Sequence, residues 1–301
     1  MARLVLVLSL AWPALSLGTP AQNDILLVRS GDSSIYSQAI EAFDHRLEQL
    51  CASRANCPRT HTANLDTGQA ELTKPPRLIV TLGHRASALA WKKVRHLPQL
   101  HIMVSETQHS LHGGGSEGVS AIFLEQPLKR QLDFVRFLLP DRRRVGVLLS
   151  EHSSKWLEIL QTLTRGMELD LHVIEIDSPR EIGKRLRAYG SEIDVLLALP
   201  DPQIYNRETL AGILLTTYHD RIPVIGFSES MIRAGAIGGI YSSPTTIGTE
   251  AAQAALSIMD DQRHIDSPPS LLETRVNRRV ADALSIRLPT ESEIQRWKED
   301  Q

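Results

Sequence analysis

The sequence predicts an α/β fold of two doubly wound parallel-sheet lobes joined by three crossovers. Short apolar runs recur along the chain, among them residues 195–199 and 224–227, and each precedes a helical pattern. Uninterrupted apolar runs mark strands buried on both faces, as in parallel sheets. These runs end on polar residues, Pro200-Asp201 and Ser228-Glu229, where open parallel sheets present their ligand crevice. The chain has 301 residues, and two lobes accommodate so many strands more economically than one large sheet.

Composition narrows the function classes. Hydrophobic residues make up 42% and charged residues 23%, with a formal net charge of -2 and aromatics at 5%. Nothing in that balance draws the chain toward nucleic acid or anionic lipid. Arg3 precedes an apolar run over residues 4–17, and the small-residue stretch SLGTPAQ follows. This is the pattern of a secretory signal over residues 1–21, with a buried first strand as the alternative. It implies a periplasmic protein without direct membrane insertion after signal removal, since no later run is long enough to span. Cys51 and Cys57 are the two cysteines. In an oxidising compartment they are expected to pair as a disulfide, the alternative being two free thiols.

The elements follow in order. Residues 24–28 read as a strand, and Ile35, Ala39, Ile40, Phe43, Leu47 and Leu50 form a helical stripe. Residues 51–76 are polar, with a short strand near 60–65. A strand over 77–82 ends at Gly83-His84, and Ser87 is placed to cap a helix over 88–94. Residues 101–105 form the next strand, and 106–118, with Gly113-Gly114-Gly115, reads as a mobile or ligand-facing loop. Residues 119–125 are extended, and Pro127 opens a helix bearing Leu128, Leu132, Val135, Leu138 and Leu139. The unit repeats with a strand over 145–149, a helix over 154–167 and a strand over 171–176. Ser178-Pro-Arg-Glu181 has the form of a capping box. Strand 195–199, helix 207–218, strand 224–227, strand 235–241 and the alanine-rich helix 247–259 follow. Beyond Pro268-Pro269 come a strand over 272–276, a helix over 277–284 and an extended piece to Pro289. The division expected is lobe 1 over 23–121 plus 243–272 and lobe 2 over 122–242. A C-terminal crossover or return segment covers 273–290, and a frayed polar tail covers 291–301.

Five motifs carry a family resemblance: IVTLGHRASALA from Ile79, QPLKRQLDFVRFLLPDRRRVGV from Gln126, DVLLALPD from Asp194, IPVIGFSESMIRAGA from Ile222 and VNRRVADALSIRLP from Val276. In order and spacing the chain resembles the ABC-transporter substrate-binding family with the type I periplasmic binding protein fold, in particular the tryptophan/tyrosine-type binding proteins. The resemblance implies a small-molecule ligand enclosed on lobe closure and handed to a membrane permease. It also implies contacts at Ser30, Gly31, Gly83, His84, Ser105, Ser150, Asp201, Ser228 and Glu229. The chain departs from the family in carrying the bulky His84 and the Gly-rich stretch after Ser105. The alternative function is a periplasmic sensory module that presents its ligand state to a membrane receptor. Permease genes beside this one would favour transport, and a receptor gene would favour sensing.

Each candidate has a second reading. Asp201 could take a ligand's ammonium or ring N–H, or serve as a turn residue; Asp201→Ala is expected to weaken binding with little loss of fold. Ser228 could contact ligand or cap the short helix to Arg233. The backbone at His84-Arg85 suits an anion, or the pair is a solvated loop. One of Ser30, Ser33 and Ser34 is expected to cap the first helix. His101, His109 and His112 lack metal-ligand spacing, so no metal and no cofactor are expected. Arg142-Arg143-Arg144 reads as a solvated turn. P-loop, dinucleotide and nucleophile-elbow motifs are absent from the sequence, and the expectation is a non-enzymatic, monomeric binding protein.

Overall fold

A computed structural model describes residues 23–67, 75–261 and 264–301. The expected signal segment, residues 1–21, lies outside the described residues. The chain divides into two compact units. Unit 1 runs to Leu124 and resumes over Pro244–Ser267; unit 2 comprises Glu125–Ser243 and Pro268–Gln301. Each is an α/β lobe built on a parallel-dominated sheet.

Unit 1 contains β1 (Asp24–Arg29), α1 (Ser34–Cys51), β2 (Arg59–Asn64), β3 (Leu78–Leu82), α2 (His84–Val94), β4 (Gln99–Val104), α3 (Glu106–Leu111) and β5 (Val119–Phe123). Unit 2 continues with α4 (Leu128–Leu138), β6 (Arg144–Leu149), α5 (Leu157–Gly166), β7 (Asp170–Glu175), α6 (Ile182–Tyr189), β8 (Val195–Leu197), α7 (Leu210–His219), β9 (Val224–Gly226), α8 (Glu229–Ala234) and β10 (Gly238–Tyr241). The chain returns to unit 1 for α9 (Pro244–Asp261) and β11 (Asp266–Ser267), then closes in unit 2 with β12 (Glu273–Val276), α10 (Arg278–Ala283) and α11 (Glu291–Glu299).

Sheet 1 has the order β11-β5-β4-β3-β1-β2, with every pairing parallel. Sheet 2 has the order β12-β10-β9-β8-β6-β7, parallel except for the antiparallel β10–β12 pair. In sheet 1 the chain winds one way after β1 and the other way after β3, so the topological switch point lies between those two strands. In sheet 2 it lies between β6 and β8. In open α/β sheets, ligands bind outside the carboxyl ends of the strands at such points.

The cores follow from the strand pattern. β3 is buried along its whole length, and Ile25, Leu27, Leu78, Val80, Leu100 and Ile102 pack against α1 and α9. These two helices approach closely because α9 is rich in small residues: a Cβ on Gly248 would fall 2.1 Å from the Ala39 carbonyl oxygen. Cys51 and Cys57 are joined as a disulfide. In unit 2, α11 packs on α4 through Trp297, whose ring stacks on Phe137 at 5.4 Å and meets Phe134 edge-on at 5.1 Å.

The structure revises several sequence expectations. Unit 1 ends at Ser267, not 272, because β12 pairs with β10 and brings the following residues into unit 2. Segment 273–290 is therefore part of the unit 2 body rather than a crossover or return. The tail 291–301 is a capped helix, with Thr290 and Glu293 forming the capping box. Residues 106–111 form α3 rather than loop, capped by a second box, Ser105 with Gln108. α2 begins at His84 with Gly83 as its cap, so Ser87 lies inside the first turn. Its hydroxyl donates to the Gly83 carbonyl at 3.2 Å and shares a hydrogen bond with Thr81 at 2.8 Å. Ser33 holds the cap position of α1 without a side-chain cap bond. Ser178 makes none either, and a 3-10 turn over Pro179–Glu181 replaces the expected box.

A buried polar chain crosses sheet 1. The Gln99 amide faces His101 Nε2 at 3.1 Å, His101 Nδ1 faces His109 Nδ1 at 3.1 Å, and His109 Nε2 lies 3.0 Å from Asp266. His264 reaches the other Asp266 oxygen at 3.0 Å. Burial, then the charges of His109 and His112, lower His101 from 6.5 to about 3, with Asp266 opposing. Burial alone would raise the Asp266 carboxyl, but His109 and His264 hold it below its usual value. A histidine with a depressed native pKa is neutral in the fold and protonates first in the unfolded chain. Its stabilisation is complete above about pH 6.5 and is lost as pH falls toward 3. Denaturant unfolding between pH 7.5 and 5 should therefore show stability falling by up to about 1.4 kcal/mol per pH unit below about 6.5. His101→Asn should flatten that slope, and an unchanged slope would remove His101 as its source.

Candidate functional site

The two switch points share one construction, a serine hydroxyl that bridges two strand ends. In unit 1, Ser30 follows β1, and its hydroxyl donates to the Leu82 carbonyl at 2.8 Å and accepts from the Ala86 N–H at 3.0 Å. It thereby ties the ends of β1 and β3 to the first turn of α2. Gly83 completes the corner at φ +87°, and a Cβ there would lie 2.5 Å from Tyr36 Oη and 2.9 Å from Ser30 Oγ. Gly31 faces Asp66 in the same corner. Arg85 donates to the Ser30 carbonyl at 2.9 Å and to Asp66 at 3.0 Å, closing it from outside.

In unit 2, Ser150 follows β6 and Asp201 follows β8. The buried Asp201 carboxylate accepts from the Ser150 and Ser153 hydroxyls at 2.6 Å each and from the Gln203 N–H at 2.9 Å. Ser150 Oγ accepts in turn from the His152 N–H at 3.1 Å, and Ser153 Oγ from the Ser150 N–H at 2.9 Å. The carboxylate is therefore an acceptor hub that ties the loop after β6 to the loop after β8. Such charge-assisted bonds are the strong ones, and Asp201 has a structural duty that the sequence expectation of little loss of fold did not include.

The remaining candidates separate. Ser105 caps α3, accepting from the Gln108 N–H at 3.1 Å. It follows a bulge in β4 where Met103 takes a left-handed φ of 56°, a conformation uncommon for any residue but glycine and often found beside sites. His84 is exposed, and its Nδ1 faces His112 Nε2 at 2.9 Å. Burial, then the neighbouring His84, lowers the His112 pKa. Ser228 caps α8, accepting from the Met231 N–H at 3.3 Å. Glu229 pairs with Arg233 and Arg275. Among the described residues, no group of three or more His, Cys, Asp or Glu can hold a metal ion.

Four residues of these corners carried no site signal in the sequence: Tyr36, Ser153, His112 and Tyr205. Tyr205 lies four residues beyond Asp201, and its ring meets Phe227 edge-on at 5.8 Å. Burial, then the Asp201 charge, pushes its hydroxyl pKa up. Tyr205 stands in a stretch that reads as an ordinary turn.

Residues 73–292 match a family model described as ABC transporter substrate binding protein. No curated protein matches the chain. Among solved structures, the fold is similar to the ligand-free, open structure of CD0873, a substrate binding protein with adhesive properties from Clostridium difficile. That likeness has a TM-score of 0.70 at 14% identity, over 90% of this chain and 97% of that one. The ABC domain in complex with L-Trp from Streptococcus pneumonia gives 0.59 at 14% identity, over 92% and 98%. A conserved domain protein from Vibrio cholerae gives 0.61 at 13% identity, over 91% and 98%.

Two substitutions test the corners. Asp201→Ala strands two buried hydroxyls and an N–H, and should cost unit 2 about 3 kcal/mol in denaturant unfolding; a loss within about 0.5 kcal/mol would mean that the hub holds nothing. Gly83→Ala meets both a positive φ and two oxygens, and should cost about 2 kcal/mol or more. A thermal midpoint equal to that of the parent would show that the turn relaxes freely.

Proposed function

The chain belongs to the ABC transporter substrate binding protein family, and from that premise we propose that it is an exported solute-binding protein. It closes on a small polar or aromatic metabolite and delivers it to an ABC-type membrane permease. The observation that carries the reading is the serine-bridged switch point in each unit. Two sheets of unrelated sequence both end in a rigid, hydrogen-bonded corner at the position where open α/β sheets take ligands. The solute is proposed to bind at the strand ends marked by Ser30, Gly31, Gly83, His84 and Ser105 in unit 1 and by Ser150, Asp201, Ser228 and Glu229 in unit 2. Among these, the exposed His84 ring, bonded to His112 through Nδ1, presents its outer edge to solute, whereas Ser30, Ser150 and Asp201 act by holding the strand ends in place.

Binding is non-catalytic in this reading. Fixed donors and acceptors replace bulk water around the solute, and the difference in affinity between conformations supplies the signal to the permease. Export rests on the Arg3-plus-apolar start; a mature protein retaining Met1 in mass spectrometry would refute it.

The reading is tested by a thermal-shift screen against amino acids, nucleosides and sugars. A ligand at about 100 times its dissociation constant should add about 2.7 kcal/mol of stability. Chemical turnover of the stabilising compound, or no stabilisation across all three classes, would count against the proposal.

A further inference from the structure

Asp201 is the carboxylate that the sequence marks for a ligand, yet its three donors all come from the protein itself. The open hydrogen-bonding capacity in this corner lies elsewhere. Tyr205 Oη is buried and has no hydrogen-bond partner, and it is the only such side-chain atom among the described residues of unit 2. Buried hydroxyls are nearly always satisfied, so an orphaned one calls for a partner that the chain does not provide. Its place is informative: the loop that carries it leaves the carboxyl end of β8 at the switch point, and its ring rests against Phe227, just past the end of the neighbouring β9. The negative Asp201 is close enough to act on the Tyr205 hydroxyl.

We propose that Tyr205 is the hydrogen-bonding contact through which unit 2 selects its solute, and that it selects a neutral acceptor on an apolar or aromatic body. The acceptor is a hydroxyl, carbonyl or ring nitrogen, because the adjacent Asp201 carboxylate repels an anionic one. The body is apolar or aromatic because the surface beside the hydroxyl is the edge-to-face pair of Tyr205 and Phe227, which favours ring contact. Asp201 is then a positioning residue: it holds the loop that presents Tyr205 and sets the sign of the local charge. The assignment deepens the solute-binding reading and rests on it.

The test compares the full chain with Tyr205→Phe in two measurements. Without solute, the thermal midpoint of the variant should equal or exceed that of the parent, since the lost hydroxyl had no partner. A fall of more than about 2 °C would mean that the hydroxyl is bonded in the free protein, and would overturn the proposal. Calorimetry then uses four probes: L-tyrosine and L-phenylalanine, which differ by a single neutral hydroxyl, and adenosine and uridine, whose rings carry neutral acceptors. For a probe with such an acceptor, Tyr205→Phe should weaken binding about tenfold. For L-phenylalanine it should leave the dissociation constant unchanged. Equal binding of L-tyrosine or a nucleoside by parent and variant overturns the contact, and a tenfold loss for L-phenylalanine overturns the neutral-acceptor assignment. If the parent binds none of the four, the solute class assigned here is overturned, while the solute-binding reading stands or falls on the wider screen.

Discussion

The carboxamide of Gln126 holds together the unit 2 ends of all three chain crossings. The chain passes between the units after Leu124, Ser243 and Ser267. Just beyond the first crossing, Gln126 donates to the Ser242 hydroxyl at 2.8 Å and to the Leu271 carbonyl at 3.0 Å, residues that flank the other two. Its own oxygen accepts from Arg130 at 2.6 Å, and Arg130 also donates to the Pro269 carbonyl at 3.1 Å. Neither unit is continuous in sequence, so each depends on segments far apart in the chain meeting in register. Closing such long loops is entropically costly, and it requires a contact that is fully satisfied on arrival. Gln126 is buried and its donors and acceptor are all used, which meets that requirement in unit 2.

The same need for satisfaction shapes both strand-end corners. A loop that leaves the carboxyl end of a buried strand exposes unpaired backbone groups at its first residues. Ser30 answers this in unit 1 by bridging Leu82 and Ala86, and the Ser150–Ser153–Asp201 triad answers it in unit 2. Polar residues at strand ends therefore divide into those spent on the scaffold and those left over. Ser105 and Ser228 belong to the first kind, as helix caps. His84 and Tyr205 belong to the second, the one exposed and the other unpartnered.

Much of the fold was legible because burial writes directly into composition. The central strands of both sheets read as apolar runs, and α9 as an alanine-rich helix. What escaped detection lay in local chemistry that composition hides. α3 was obscured by the three glycines after it, although the Ser105–Gln108 box that starts it was present in the sequence. α11 buries Ile294 deeply and little else, so its stripe is faint and its docking depends on Trp297 finding two aromatic rings on a distant helix. In the candidate site, strand-end positions were readable, but roles were not. Whether Asp201 faces a solute or its own scaffold depends on Ser150 and Ser153, about fifty residues away, and no local pattern encodes that pairing.

The histidines of unit 1 show how hydrogen positions follow from such pairings. Gln99 donates its amide N–H groups to the Ala90 and Val94 carbonyls, so its oxygen is the atom turned toward His101. His101 Nε2 must then carry the hydrogen. Because burial keeps this ring neutral, Nδ1 is a lone pair, and His109 Nδ1 must be the donor to it. The opposite nitrogen of His109 is thereby directed at Asp266 on β11, the last strand before the chain leaves unit 1. The forced donors and acceptors run from the amino end of β4 to His109 of α3, whose other nitrogen lies near Asp266 of β11. α3 ends at His112, whose ring meets His84 at the carboxyl edge of the sheet. The proton order along the Gln99–His101–His109 chain is accordingly set by the direction in which a buried glutamine points its oxygen.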